Sequence, residues 1–424
     1  MGRTIYELKD GIKLHFLNSD KYKTDLSCII MTVPLERETV TKNALIPFIL
    51  RRGSKLFPDQ YLINKEMENL YGAEFNCGID KIGDNLILKF YIESINNDYA
   101  LNDENILKLS IRDLFDITFN PITENNFMKK SFFETEIETL RKVIESKIDN
   151  KDLYAYDKCI ETMYDDKFGL YKYGYIEDLD KITFEDISQH YDWLIQNSKI
   201  DIFISGKNNN AEIKEFVENN ENIKKLNPRD ENIILNNEFT ECKKIVEKPK
   251  EILENMNVTQ GKLVMSLDVV SKVDNVQTIA NIYNEILGGS ANSMLFQNVR
   301  EKAGLAYSAK SNFVKQKMNI FIRCGIQIEN YEKTIELIKV QLKKIEDGKF
   351  TDEDLEDAKT SLISAIKTLE EEQDTEMVYY IGQELSKTDL EPTEYIEKIN
   401  SVTREDIIDL ANSVYLNTIY FLRS

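Results

Sequence analysis

A chain of 424 residues is too long for one ordinary core and suggests about two or three domains. Its 42% hydrophobic and 10% aromatic residues supply ample material to pack them. A formal charge of −20 at pH 7 argues against nucleic acid or an anionic membrane as a partner. Five cysteines, Cys28, Cys77, Cys159, Cys242 and Cys324, are odd in number and scattered. With no Cys-x-x-Cys pair, neither a disulfide framework nor a zinc knuckle is indicated. The N-terminal M-G-R-T-I-Y-E-L-K-D has no apolar signal core, and no apolar run approaches membrane length. A reducing cytoplasm is the expected setting.

In chain order, residues 4–17 alternate about Asp10-Gly11 and predict a hairpin, and Leu26–Val33 a third strand. Residues 39–51 form a short apolar block before a loop at Arg52-Gly53. A helix is expected over Tyr61–Leu70, passing into a strand, and Leu86–Ile92 reads as another strand. Phe133, Ile137, Leu140, Ile144 and Ile148 stripe one face of a long helix. Thr183 opens a helix carrying the only tryptophan, Trp193, and Ile200–Ser205 closes this half as a strand.

Residues 207–258 are polar and rich in Asn, Lys and Glu, and read as a linker with one helix near 210–219. Leu263–Val270 is then a strand, and Val276, Ile279, Ile282, Tyr283, Ile286 and Leu287 stripe a helix. Ile320–Ile328 is a strand, and Ile335, Ile338, Leu342 and Ile345 mark a helix closing near Gly348. Thr351–Asp354 starts the helix bearing Leu355, Leu362, Ile366 and Leu369. K-I-T-F-E-D-I at 181–187 answers S-V-T-R-E-D-I at 401–407. Pro121-Ile-Thr-Glu likewise answers Lys349-Phe-Thr-Asp. A duplicated domain of about 200 residues accounts for the shared order of elements.

The most distinctive stretch is Leu287–Ser311, L-G-G-S-A-N-S-M-L-F-Q-N-V-R-E-K-A-G-L-A-Y-S-A-K-S. Gly288 and Gly289 give a permissive turn, Ser290 can cap a first helical turn, and Gly304 ends the run. Arg300 falls at the helix C-terminus and Tyr307 on the strand that leaves it. Both groups suit peptide carbonyls or a developing oxyanion. On spacing alone, an Arg serving the helix dipole and a Tyr packed in a sheet is the simpler reading.

This stretch resembles the second-half signature of the insulinase/pitrilysin-like zinc metallopeptidases, which include the mitochondrial processing peptidases. The resemblance implies an α+β chain: two homologous α/β halves, each a mainly antiparallel sheet backed by helices, joined by a linker as a clamshell. The expected divisions are 1–206, a linker at 207–258, and 259–424. It also implies that Arg300 and Tyr307 grip substrate and assist a zinc centre, and that Phe75–Gly78 lies beside a peptide-pairing edge strand.

Active members carry His-x-x-Glu-His on a first-half helix. With R-R-G-S and M-E-N-L-Y-G-A-E-F-N-C fixing the register, that motif falls on Ala44-Leu45-Ile46-Pro47-Phe48. Ala44 and Phe48 take the ligand positions, and Pro47 the place of the catalytic glutamate. None of them donates a lone pair to zinc or a base to water, and Pro47 should also disturb the helix. The downstream glutamates of the family fall on Leu140 and Lys147, with Glu138 and Glu145 as the alternative register. The two histidines, His15 and His190, have no ligand at metal spacing and read as hydrogen-bonded structural residues. No metal and no cofactor are expected.

The resemblance therefore implies a non-catalytic, substrate-gripping subunit. It would donate Arg300 and Tyr307 to a zinc-bearing paralogue in a heterodimer that hydrolyses oligopeptides or small unfolded chains. A homodimer is the arrangement expected when it is alone. The alternative is a catalytically inert structural or peptide-binding protein of the same fold.

Overall fold

The computed structural model describes residues 3–101, 104–230, 246–369, 371–386 and 388–424. Cys242 and the middle of the expected linker lie outside them. The described chain falls into two compact units. One draws on residues 1–146, 170–236 and 371–388, the other on 147–169, 237–370 and 389–424.

The strands are β1 (Arg3–Lys9), β2 (Ile12–Asn18), β3 (Thr24–Pro34), β4 (Glu74–Ile82), β5 (Asn85–Ile95), a two-residue hairpin of β6 (Thr123–Glu124) and β7 (Phe127–Met128), and β8 (Lys199–Gly206). There follow β9 (Lys250–Asn255), β10 (Gly261–Val269), β11 (Ala306–Val314), β12 (Asn319–Ile326) and β13 (Val414–Arg423). The first sheet has the order β1-β2-β8-β3-β5-β4, the second β11-β12-β10-β13-β9. In the first, only β2 and β8 run parallel; in the second, only β9 and β13 do. Read from that parallel pair outwards, the two orders coincide, which is the duplication the sequence repeat predicts. The first sheet adds β1 at its rim.

The helices are α1 (Val40–Leu50), α2 (Gln60–Asn69), α3 (Ile106–Phe119), α4 (Lys130–Glu145), α5 (Lys151–Met163), α6 (Ile176–Leu179), α7 (Phe184–Asn197), α8 (Asn210–Glu218) and α9 (Glu221–Lys225). Further along the chain come α10 (Val276–Asn284), α11 (Tyr331–Glu346), α12 (Asp352–Leu369), α13 (Gln373–Leu385), α14 (Pro392–Ser401) and α15 (Arg404–Ala411). The matching starts of α7 and α15 are both closed by capping boxes, Thr183 with Asp186 and Thr403 with Asp406.

Each sheet is buried on both faces, so its central strands are near-continuous apolar runs. In the first unit, alternate residues such as Leu14, Phe16, Ile29 and Met31 face α1, α3, α4 and α7. Their neighbours Leu17, Cys28, Ile30 and Phe203 face Met377, Tyr380, Ile381 and Leu385 of α13. The second sheet repeats the arrangement: Met265, Ile322 and Phe421 pack with α10–α12, while Val264, Phe321 and Tyr420 pack with Ala155, Cys159 and Ile160 of α5. The stretches anticipated at 1–206 and 259–424 thus each contribute one helix to the other unit's core.

Two expectations are corrected. Pro47 does not break the local helix: α1 runs through it to Leu50. Proline there removes one donor, but Ala44, Leu45, Ile46, Ile49 and Leu50 are almost wholly buried, and their burial outweighs one lost hydrogen bond. The described residues of the 207–258 stretch hold two helices and β9, which joins the second sheet beside β13, where the sequence suggested one helix in a linker.

Candidate functional site

The degenerate metal positions come first. Ala44 and Leu140 are fully buried in one apolar cluster, with Phe48 packed against it, where α1 meets α4. The Pro47 carbonyl accepts from the Arg51 N–H (3.2 Å) and from the Cys77 Sγ of β4 (3.3 Å). Glu138 and Glu145 lie exposed on α4, and Lys147 pairs with Glu161 (2.8 Å), so neither register supplies a buried carboxylate. A catalytic zinc needs three protein donors with an open position, and this wall of methyl and phenyl groups does not fit one. Among the described residues, no group of three or more His, Cys, Asp or Glu is placed to hold a metal.

Sequence reasoning missed what does join α1 to α4. Glu136, with no exposure, accepts from Arg51 Nη2 (3.4 Å) and from Arg52 Nε. Arg51 also lies over the Phe48 ring at 5.0 Å, and Arg52 donates to Gln60 (3.3 Å). The available signal was Glu136 itself, a lone acid between Phe133 and Leu140 on an apolar stripe.

The second group is Arg300 and Tyr307. The helix entrance is Ser293, whose carbonyl accepts from Gln297 N–H (2.9 Å); Ser290 lies before it in extended backbone and does not cap it. From Phe296 to Lys302 the helix is π-wound, with Ala303 N–H reaching Asn298 (3.2 Å), and α10 likewise widens over Glu285–Gly289. Such insertions are frequent at functional sites because they re-aim side chains. A Cβ at Gly289 would lie 2.3 Å from Glu285 Oε1, so the carboxylate, whose Oε2 accepts from Ser361 (3.0 Å), would have to move. Gly304 has φ +60° and turns the chain into β11.

The register of β11 against β12 slips between Ala306 and Ser308, so Tyr307 is the extra residue of a β-bulge at the sheet edge. Tyr307 is 63% exposed, and among the described residues its hydroxyl has no partner. The Arg300 side chain is 42% exposed, 3.5 Å from Glu301 and 4.5 Å from the Phe296 ring. Tyr307 is therefore not packed in the sheet, whereas Arg300 sits in the last turn of its helix, where the dipole reading also places it.

The histidines are structural. His15 Nε2 meets Asp201 (2.9 Å) and stacks on Phe203, and Asp201 also accepts from buried Lys199 (2.6 Å). These charges, led by Lys199 and the His15 hydrogen bond, outweigh burial and hold the Asp201 carboxyl below the usual range. His190 Nε2 meets Asn43 (2.7 Å), and burial pushes its pKa down to about 4, so it stays neutral. Burial likewise raises the thiols of Cys28, Cys77, Cys159 and Cys324, that of Cys77 to about 12, which leaves them poor nucleophiles.

The chain has two sheets of one strand order, and the positions expected to correspond to metal ligands are packed into the core of the first unit. The family described as "Peptidase M16 inactive domain" matches residues 181–362. Over 425 aligned residues, 99% of this chain and 98% of the relative, it is 28% identical to the "Probable inactive metalloprotease YmfF" of Bacillus subtilis (strain 168). A conserved protein of Enterococcus faecalis V583 superposes with a TM-score of 0.89 at 25% identity, covering 100% of this chain and 99% of that one. A protease of Helicobacter pylori shares the fold at 0.78 and 15% identity, covering 100% and 99%. Residues 181–362 thus carry the match to the M16 inactive domain, and the similarity over the whole chain fits an M16-like protein that lacks the zinc motif.

Proposed function

We propose that this chain is the substrate-gripping partner of a zinc-bearing paralogue, donating Arg300 and Tyr307 to peptide hydrolysis carried out at the partner's metal. The carrying observation is contrast within one molecule. Ala44, Phe48 and Leu140, the positions expected to correspond to metal ligands, are packed into core, whereas Tyr307 stands on an edge bulge with its hydroxyl unpartnered among the described residues. A tyrosine kept only for packing has no need of that placement. On this reading the phenol and guanidinium donate to a peptide carbonyl or its developing oxyanion, and the edge of β4 holds part of the peptide as an added strand. The chain works in the cytoplasm with an unfolded or short peptide substrate.

The second reading, an inert structural or peptide-binding protein, is favoured by the completeness with which Ala44, Phe48 and Leu140 fill the metal positions. Reconstitution with a paralogue bearing His-x-x-Glu-His separates the two. Tyr307→Phe removes one hydroxyl that supports no packing, so melting should be unchanged. Turnover of a fluorogenic peptide by the mixed complex should fall on the order of a hundredfold. Full turnover with Tyr307→Phe would promote the inert reading.

A further inference from the structure

The edge of the first sheet and the arginines beside it carry a selectivity. Among the described residues β4 is the terminal strand and pairs only with β5. Toward its C-terminal end the outer side is covered, because Lys172 Nζ donates to the Ile79 carbonyl (3.0 Å). Over Glu74–Gly78 no strand covers it, and the Cys77 N–H donates to the Asn76 side chain (2.8 Å), a local contact that an incoming strand can replace. Phe75, Cys77 and Ile79 face the helices, with Cys77 Sγ against Pro47 O, while Glu74, Asn76 and Asp80 face the other way. A strand added at this edge would alternate in the same manner, so every second side chain would meet the end of α1.

That end is cationic. Arg51 follows Pro47 by one turn, and its side chain is 38% exposed, with that of Arg52 at 29%. The two guanidiniums share one carboxylate, Glu136, which leaves a surplus of one positive charge in a chain of net −20. Arg51 Nε is buried and has no hydrogen-bond partner among the described residues. Its guanidinium carbon lies 5.0 Å from the centre of the Phe48 ring, a cation–π contact that favours this placement.

We infer that the open edge at Glu74–Gly78 takes an extended peptide with an acidic side chain on its helix-facing side, and that Arg51 is the partner of that carboxylate. The inference rests on the peptide-pairing reading above and adds the class of peptide. The fork geometry of this partly exposed guanidinium favours a planar carboxylate over an amide. The bulk charge of the protein opposes an acidic ligand, so a preference for one must come from this local pair.

The test is fluorescence anisotropy at low ionic strength with labelled nine-residue peptides of alternating Thr and Val, acetylated and amidated, with Glu or Gln at the centre. The intact chain should bind the Glu peptide about tenfold more tightly than the Gln peptide. Arg51→Gln should bring both to the affinity of the Gln peptide, with melting curves confirming a folded chain, since Arg52 still pairs with Glu136. Equal affinities of the intact chain for the two peptides would overturn the inference and leave peptide pairing standing. Binding of neither peptide would overturn the peptide-pairing reading and the inference with it.

Discussion

Asp113 on α3 is fully buried: Arg112 Nε donates to its Oδ1 (2.7 Å), and its Oδ2 has no partner. Burial, only partly offset by Arg112, pushes its pKa from 3.8 up to about 7. A raised folded-state pKa means that the native chain binds the proton more tightly than the unfolded one. The stability this supplies is complete below the unfolded value and is lost as pH rises through about 7. Asp113→Asn keeps the oxygen that Arg112 uses and removes the buried charge. It should therefore stabilise the chain by about 1–3 kcal/mol at pH 8, with the gain shrinking toward pH 5. Chemical denaturation at the two pH values checks this; a uniform or absent gain would assign the raised pKa elsewhere. The same scale explains a limit of the sequence. Arg300 and Tyr307 were singled out by resemblance to a family motif and not by spacing alone, and nothing in L-A-Y-S announces the bulge that exposes Tyr307, because a bulge is a register relation to β12.

Among the elements, α1 and α4 are joined by apolar contact and by Glu136 with its two arginines. Glu136→Ala should cost about 3 kcal/mol, since it leaves two guanidiniums without their carboxylate, softened because both reach solvent. A loss below 0.5 kcal/mol, on the order seen for exposed pairs, would show that the join is apolar alone. The helix α13 makes a second case. Met377 is fully buried against the first sheet, so Met377→Ala should cost about 2–4 kcal/mol in equilibrium unfolding. Much of this level was legible: the two hairpin strands, α2, α4, α7, α11 and α12 follow from alternation, helical stripes and Thr caps. Among the described helices, α3, α5, α6, α9, α13 and α14 were not. α3 and α5 were passed over between clearer signals, and α13 follows α12 with only a short break, so its stripe reads as part of a longer polar stretch. Pro47 misled in the other direction, because the rule that proline breaks helices ignores the burial around it.

At the level of the whole molecule, the repeat seen in two Thr-x-Glu-Asp-Ile starts becomes two sheets of one strand order, each covered on its second face by a helix from the other part of the sequence. The sequence could not supply that exchange, because hydrophobic periodicity tells which face of a helix is buried and not against which sheet. The same whole-chain view carries the loss of catalysis. With Ala44, Phe48 and Leu140 in the core, restoring a single ligand by Phe48→His should yield no metal binding and no peptidase activity. Two further donors and the base would still be absent. The measurement that bears most directly on the account is the zinc content of the purified chain alone after incubation with zinc and desalting, read by elemental analysis beside a peptide-cleavage assay. The account predicts no stoichiometric zinc and no cleavage. One tightly held zinc per chain, with or without cleavage, would contradict it.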